Sequence, residues 1–457
     1  MSMRNSAVRS QGGAPLWPSV LWPFLALAGP MVVSRLGLAG MSLADGWMIA
    51  RLSENGSGQL AVWSLVDSTL GRALDIAVAF VMPGLALVAQ SRAQGLPNIA
   101  AAVWRRALRL SLWSGLIAMA VMPAMPWLLS LSPGAGAVSA QADSIATALA
   151  WGFVPALLAL ASAGYLEAMG RPLIPVVMVL LANLVNIGLN SLLISGTLWP
   201  GVAGAEGCAW ATTAVRWMMA LVLTALAWRM ARRDGAGEHG LTRRVQVSRG
   251  LSSAAQSTLT QMLSLITPLI LAGLSLTHWS HWAALWLLVL PLGILSWGLA
   301  DAYSLRLAAA AGLDDAAAVR RSAWVLGGVC SAALALACLP WSLWPQTLAL
   351  LLPADHALSA DTIALWVALT SAGMVLDGLS SVLASGLRSL QVLWSTLAVQ
   401  LLCSAAQVLG LWVWSQSAQP ELHQALLVVV CTAGLKLFGM AVLLQQRTAP
   451  SASIPRP

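Results

Sequence analysis

Four side chains in this sequence could together hold one positive charge: Asp45, Asn186, Asn190 and Thr212. Asp45 places a carboxylate inside an apolar run. Asn186 and Asn190 are four residues apart, a spacing that puts both carboxamides on one face of a helix. Thr212 adds a hydroxyl. One carboxylate, two carboxamides and a hydroxyl form an oxygen-rich set suited to Na+ or to a hydrogen-bonded proton. The same Asn and Thr side chains also serve to bond helices together in apolar surroundings, so both readings stand.

Other ionisable groups also lie inside apolar runs, where each needs a partner or a watery cavity. They are Arg35, Asp67, Arg72, Asp75, Arg216, Asp301, Asp377 and Lys436. Arg72 and Asp75 are three apart and can pair on one helix face. Asp377 and Gln261 fall at matching depths and could share a site in the second half. Gln256, on the same run as Gln261, is a further cavity candidate. Asp67, Asp301 and Arg306 lie near run ends, and Lys436 is close enough to one, for their heads to reach an interface.

The elements that must position these groups follow from composition. Hydrophobic residues make up 59% of the 457 positions and charged residues only 9%. A soluble domain carries roughly a quarter of its residues as charges, so the main solvent of this chain is not water. Apolar runs of about twenty residues or more, long enough to cross a bilayer, recur at 20–50, 60–91, 107–131, 143–166, 172–196, 204–230, 250–275, 282–305, 321–353, 361–387, 390–415 and 423–446. The reading is an all-α polytopic membrane protein of about twelve spans. The first run lacks a small-residue cleavage site and reads as a retained helix, not a removed leader.

With the N-terminus on the cytoplasmic side, nineteen Lys and Arg fall in inner connectors and only Arg51 in an outer one. That imbalance follows the positive-inside rule and predicts cytoplasmic termini on both sides of the chain. Three spacings suggest an internal repeat: Gly95 to Gly312 is 217 residues, Arg106 to Arg321 is 215, and Gly170 to Gly386 is 216. Two six-helix lobes result, over 17–230 and 250–446. Residues 1–16 and 447–457 read as cytoplasmic tails, and 231–249 as the interlobe linker. Repeats of this kind place a binding path between the halves.

Several function classes are excluded. The net charge of +8 resides in short connectors without a basic face, which argues against nucleic acid. The five cysteines show no paired spacing and read as buried free thiols. The five histidines read as connector residues, with His278 and His281 in an outer interfacial belt beside Trp279 and Trp282. No nucleophile–base pair or metal set emerges, so an intramembrane enzyme is disfavoured. Many of the 23 tryptophans sit at span ends as interfacial anchors.

The sequence resembles the multidrug and toxic compound extrusion (MATE) family over nearly its whole length. The stretches that carry the resemblance are LAGPMVVSRLGLAGMSLADGWMIARLS (27–53), ALVAQSRAQG (86–95), NLVNIGLN (183–190) with GVAGAEGCAWATTAVRW (201–217), and LDGLSSVLASGLRS (376–389). The resemblance implies that Asp45, Asn186, Asn190 and Thr212 occupy the family's N-lobe cation-binding positions, and that Asp377 falls on a C-lobe acidic position of some members. It implies a secondary transporter in a bacterial inner membrane. The expected transporter exports small organic compounds by proton or sodium antiport, uses no cofactor and acts as a monomer in the lipid bilayer. Pro30, which removes a backbone hydrogen bond from the first span, is the expected hinge. Arg35, Arg72 and Arg216 motivate an alternative, a flippase or exporter of a lipid-linked or anionic substrate.

Overall fold

The computed structural model describes residues 16–53, 56–121, 139–199, 201–233, 240–274, 276–313, 315–346, 359–417 and 421–449. Its elements are helices, and no strand occurs among the described residues. In chain order they are α1 (Leu16–Leu52), α2 (Gly56–Val81), a 3-10 turn (Met82–Leu85), α3 (Ala86–Ala93), α4 (Pro97–Val121), α5 (Ser139–Ala150), α6 (Phe153–Ala168), α7 (Leu173–Ile194) and α8 (Gly204–Ala231). The second half holds α9 (Gly240–Leu274), α10 (Leu276–Gly312), α11 (Ala316–Leu343), α12 (Ala360–Ser389), α13 (Trp394–Ser415) and α14 (Leu422–Arg447).

The twelve span-length units contain more helices than spans because two of them break. The second span changes to a 3-10 turn, where Pro83 cannot donate to the helical ladder. The fourth divides at Trp151–Gly152 into α5 and α6. By contrast α1 stays helical through both Pro23 and Pro30. The seventh span begins at Gly240, so residues 240–249 are helix and not extended linker. Asp315 caps α11 by accepting from the Ala318 amide at 3.0 Å, and Ser359 caps α12 by accepting from Thr362 at 3.2 Å, each meeting an otherwise orphaned donor.

Ten of these units are long and apolar enough to cross a membrane. The units built on α4 and α9 fall outside that set, since arginines and, in α9, Ser, Thr and Gln interrupt their apolar runs. Large apolar side chains such as Leu184, Leu402 and Phe438 are about two-thirds exposed on the outer surface. Water would not tolerate so much apolar surface, but lipid is its natural solvent.

Within the first half α7 packs on α1 and α8, and α6 on α4 and α8; within the second α12 packs on α10, α11 and α14. The halves meet where α1 and α3 pack on α10 and where α2 packs on α9. One continuous apolar core runs through both, from Phe24 and Met31 to Leu383 and Met440. The glycines that mark the repeat are not equivalent locally: Gly170 follows α6 with φ +75°, whereas Gly386 lies inside α12 against the Tyr303 ring.

Candidate functional site

The first site forms because α1 and α7 can approach closely. A Cβ on Gly37 would lie 2.6 Å from Val179, so only glycine fits there without a shift. Beside it the Asn183 amide donates to the Gly37 carbonyl at 3.0 Å. About two turns farther along α1, at 3.6 residues per turn, Asp45 meets the face of α7 that carries Asn186 and Asn190. Both amides donate to Asp45 Oδ1, at 2.5 and 2.6 Å. From α8, the Thr212 hydroxyl donates to Oδ2 at 3.0 Å.

Asp45 is 2% exposed, and both asparagines are fully buried. These hydrogen bonds to its carboxylate come from uncharged groups, and no basic side chain is in ion-pair contact with it among the described residues. The carbonyl oxygens of Asn186 and Asn190 have no hydrogen-bond partner. A buried anion with two free carbonyl oxygens beside it is a site that gains from a proton or a small hard cation, because buried charge and buried unpaired acceptors are both costly. Arg216 stands in electrostatic range of Asp45 and Asp67. Its guanidinium lies at the α5–α6 break, 3.0 Å from where a Cβ on Gly152 would be.

The second half treats its acid differently. Asp377 on α12 pairs with the Lys436 ammonium on α14. Gln261, expected beside Asp377, instead donates to Asp75 Oδ2 at 3.0 Å and so links α9 to α2. On α9 the Gln261 side chain thus faces α2 of the other lobe. Arg72 and Asp75 make no ion pair among the described residues, since Asp75 is drawn toward Gln261. Gln256 accepts from Arg388 at 2.6 Å and donates to Gln400 at 3.2 Å, forming a polar cluster of α9, α12 and α13.

Some groups assigned to span ends are bonded inside the bundle. Arg35 donates through Nε and Nη2 to Asp301 Oδ2, at 3.1 and 2.6 Å, across the two lobes. Lys436 likewise meets Asp377. Arg106 and Arg249, read as connector residues, lie buried within α4 and α9. Glu167, at the end of α6, is 3% exposed; its place beside a short arginine-bearing connector gave no signal of burial. His278 and His281 belong to α10, and the ring of buried His281 packs tilted against Trp366 with centroids 5.1 Å apart. His423 opens α14 beside Glu421 at 3.0 Å. Cys208, Cys330 and Cys338 are buried, but Cys431 is exposed, because a lipid-facing helix surface is as apolar as a core.

This is the architecture of a multi-pass carrier: two six-helix lobes with charged and amide side chains gathered at membrane depth inside and between them. The MatE family profile matches residues 30–192. A probable multidrug resistance protein NorM from Caulobacter vibrioides is 30% identical over 72% of this chain and 73% of its own length. Another NorM, from Bradyrhizobium diazoefficiens, is 31% identical over 82% of each. Among solved structures, the outward-facing form of a multidrug resistance MATE family transporter superposes with a TM-score of 0.81 at 15% identity, covering 93% of this chain and 95% of that one. A MOP superfamily transporter from Pyrococcus furiosus gives 0.80 at 16% identity, with the same coverage. The chain belongs to the MATE family of membrane transporters, and it is not an enzyme.

Proposed function

We propose that this protein is a secondary exporter that couples efflux of small organic compounds to entry of H+ or Na+ at Asp45. The observation that carries the reading is a carboxylate buried among three neutral donors. Loading with a cation neutralises it; unloading restores a buried anion, which favours whichever arrangement of α1, α7 and α8 shields it best. The ion drives the cycle only because it binds the two arrangements with different affinity. The Asn186 and Asn190 carbonyl oxygens complete the shell of a bound Na+, and Asp45 alone carries a bound proton. Pro30 supplies the site at which α1 bends, since the residue lacks a ladder donor.

The protein acts in a bacterial inner membrane with both termini cytoplasmic, as the arginine distribution supports, and it works as a monomer. The anionic-substrate alternative rested on Arg35, Arg72 and Arg216. Arg35 is bonded to Asp301, and Arg216 lies between Asp45 and Asp67 in the electrostatic sense. Of the three, Arg35 already has a carboxylate partner within the chain, which leaves it less to offer an anion. The deciding experiment is substrate-dependent proton or sodium flux in proteoliposomes. Asp45→Asn should abolish both flux and efflux; efflux at wild-type rate with matched expression would overturn the reading.

A further inference from the structure

The Asp45 site has one neighbour that the coupling mechanism leaves unused. Cys208 stands four residues before Thr212 on α8, so the two side chains share a helix face. Thr212 donates to Asp45 Oδ2 at 3.0 Å, and the Cys208 thiol lies within hydrogen-bonding reach of both that carboxylate and the threonine hydroxyl. Backbone packing fixes its place. A Cβ on Gly207 would lie 2.4 Å from the Leu193 carbonyl oxygen of α7, so α7 and α8 touch main chain to main chain beside the cysteine. Cys208 is fully buried, like Asn186 and Asn190.

A sulfur in this position bears on which ion the site can take. The Asn186 and Asn190 carbonyl oxygens are buried acceptors without a partner; with the Asp45 carboxylate and the Thr212 hydroxyl they make an all-oxygen set. Hard cations are held by oxygen ligands, whereas sulfur suits softer metals. A protonated thiol is a weak acceptor, and here its donor is turned toward the carboxylate. A Na+ at Asp45 has to displace that S–H and gains little from the sulfur in return. A proton needs no shell. It sits on one carboxylate oxygen while the thiol keeps its place.

We propose that Cys208 is a specificity-determining residue of this carrier, which sets the Asp45 site against Na+ and leaves H+ as the coupling ion. The cysteine works as a filter within the ion's own shell. It withholds one oxygen at the carboxylate and puts a weakly polar, polarisable atom there instead. Serine at the same position supplies the missing oxygen with almost no change of shape. The proposal rests on the antiport function given above and narrows its ion.

The test measures equilibrium binding of radiolabelled Na+ to the full-length protein in lipid nanodiscs at one fixed pH. Cys208→Ser should bind Na+ about tenfold more tightly than wild type, the lower end of what a change beside a metal ligand produces. The gain should vanish in Cys208→Ser/Asp45→Asn. Cys208→Ala removes the sulfur without supplying an oxygen and should bind Na+ no more tightly than wild type. In proteoliposomes carrying ethidium, an organic cation, as the probe, a pH gradient should drive transport by the wild-type protein and a Na+ gradient only by Cys208→Ser. Equal Na+ affinity in wild type and Cys208→Ser, an equal gain in Cys208→Ala, or wild-type transport driven by Na+ alone would overturn the proposal. If Cys208→Ser does not fold, the wild-type protein decides. Asp45-dependent Na+ binding tighter than about 1 mM overturns the proposal, and Asp45-dependent, proton-driven transport without such binding bears it out. Asp45→Asn keeps the two claims apart. Proton-driven transport by that variant at the wild-type rate removes the antiport account and this inference with it, whereas Asp45-dependent transport driven by Na+ in the wild type removes this inference alone.

Discussion

The two lobes handle an intramembrane carboxylate in opposite ways. In the first, Asp45 is bonded by the neutral groups of Asn186, Asn190 and Thr212. In the second, Asp377 carries the ammonium of Lys436 on the neighbouring helix. A carboxylate whose counter-charge is part of the chain cannot trade it for a solution ion without leaving the ammonium unpaired. One surrounded by neutral donors has its charge still to be answered, and a proton or a small cation answers it. Under the function proposed above, the exchangeable charge then belongs to only one of the two lobes.

The largest expected effect tests that contrast directly. Asp45→Asn should reduce ion-coupled efflux in proteoliposomes by on the order of 100-fold, the scale of a lost charge-assisted interaction of about 3 kcal/mol. Asp377→Asn should reduce it only a few-fold, and equal losses would break the comparison. Next, Lys436→Met should lower thermal stability by about 2 kcal/mol, less than a fully buried pair would cost, because 49% of the Asp377 side chain is exposed. The Lys436→Met/Asp377→Asn protein should recover most of that loss, and a double variant no more stable than the single would show that the pair is not the cause.

Asn186→Ala sharpens the picture of the first lobe. Removing one donor and one carbonyl oxygen should raise the ion concentration needed for half-maximal efflux by about tenfold, near 1.5 kcal/mol, with the maximal rate less affected. The smallest effect is expected for Arg72→Gln, with efflux within about twofold of wild type, as for a weakly coupled charge pair. A loss there as deep as that of Asp45→Asn would restore the anionic-substrate reading.

Much of the fold was legible along the chain, because crossing a bilayer imposes a length and a polarity that single segments must satisfy alone. The breaks at Met82–Leu85 and Trp151–Gly152 were not, since both lie in apolar sequence and helix continuity there depends on neighbouring helices. The Asp45 group was legible through family resemblance and through the four-residue spacing of its asparagines. The pairs Arg35–Asp301 and Asp377–Lys436 were not. Each partner, counted along its own span, looked equally able to reach an interface. Glu167 left no trace because a glutamate near a connector is ordinarily solvated.

The amino-acid sequence by itself determined that this is a helical membrane protein of two related halves, which end of the bundle is rich in arginine, and which residues share a helix face. Those properties follow from local composition and from the 3.6-residue turn. Only the tertiary structure decided which charges meet: Arg35 with a residue 266 positions away, Gln261 with one 186 away, Asp377 with one 59 away. Helical periodicity sets the direction of a side chain around its own axis, but its partner depends on which helix packs there. Packing is settled by all the helices together, through close approaches such as Gly37 on Val179 and Gly298 on Val32.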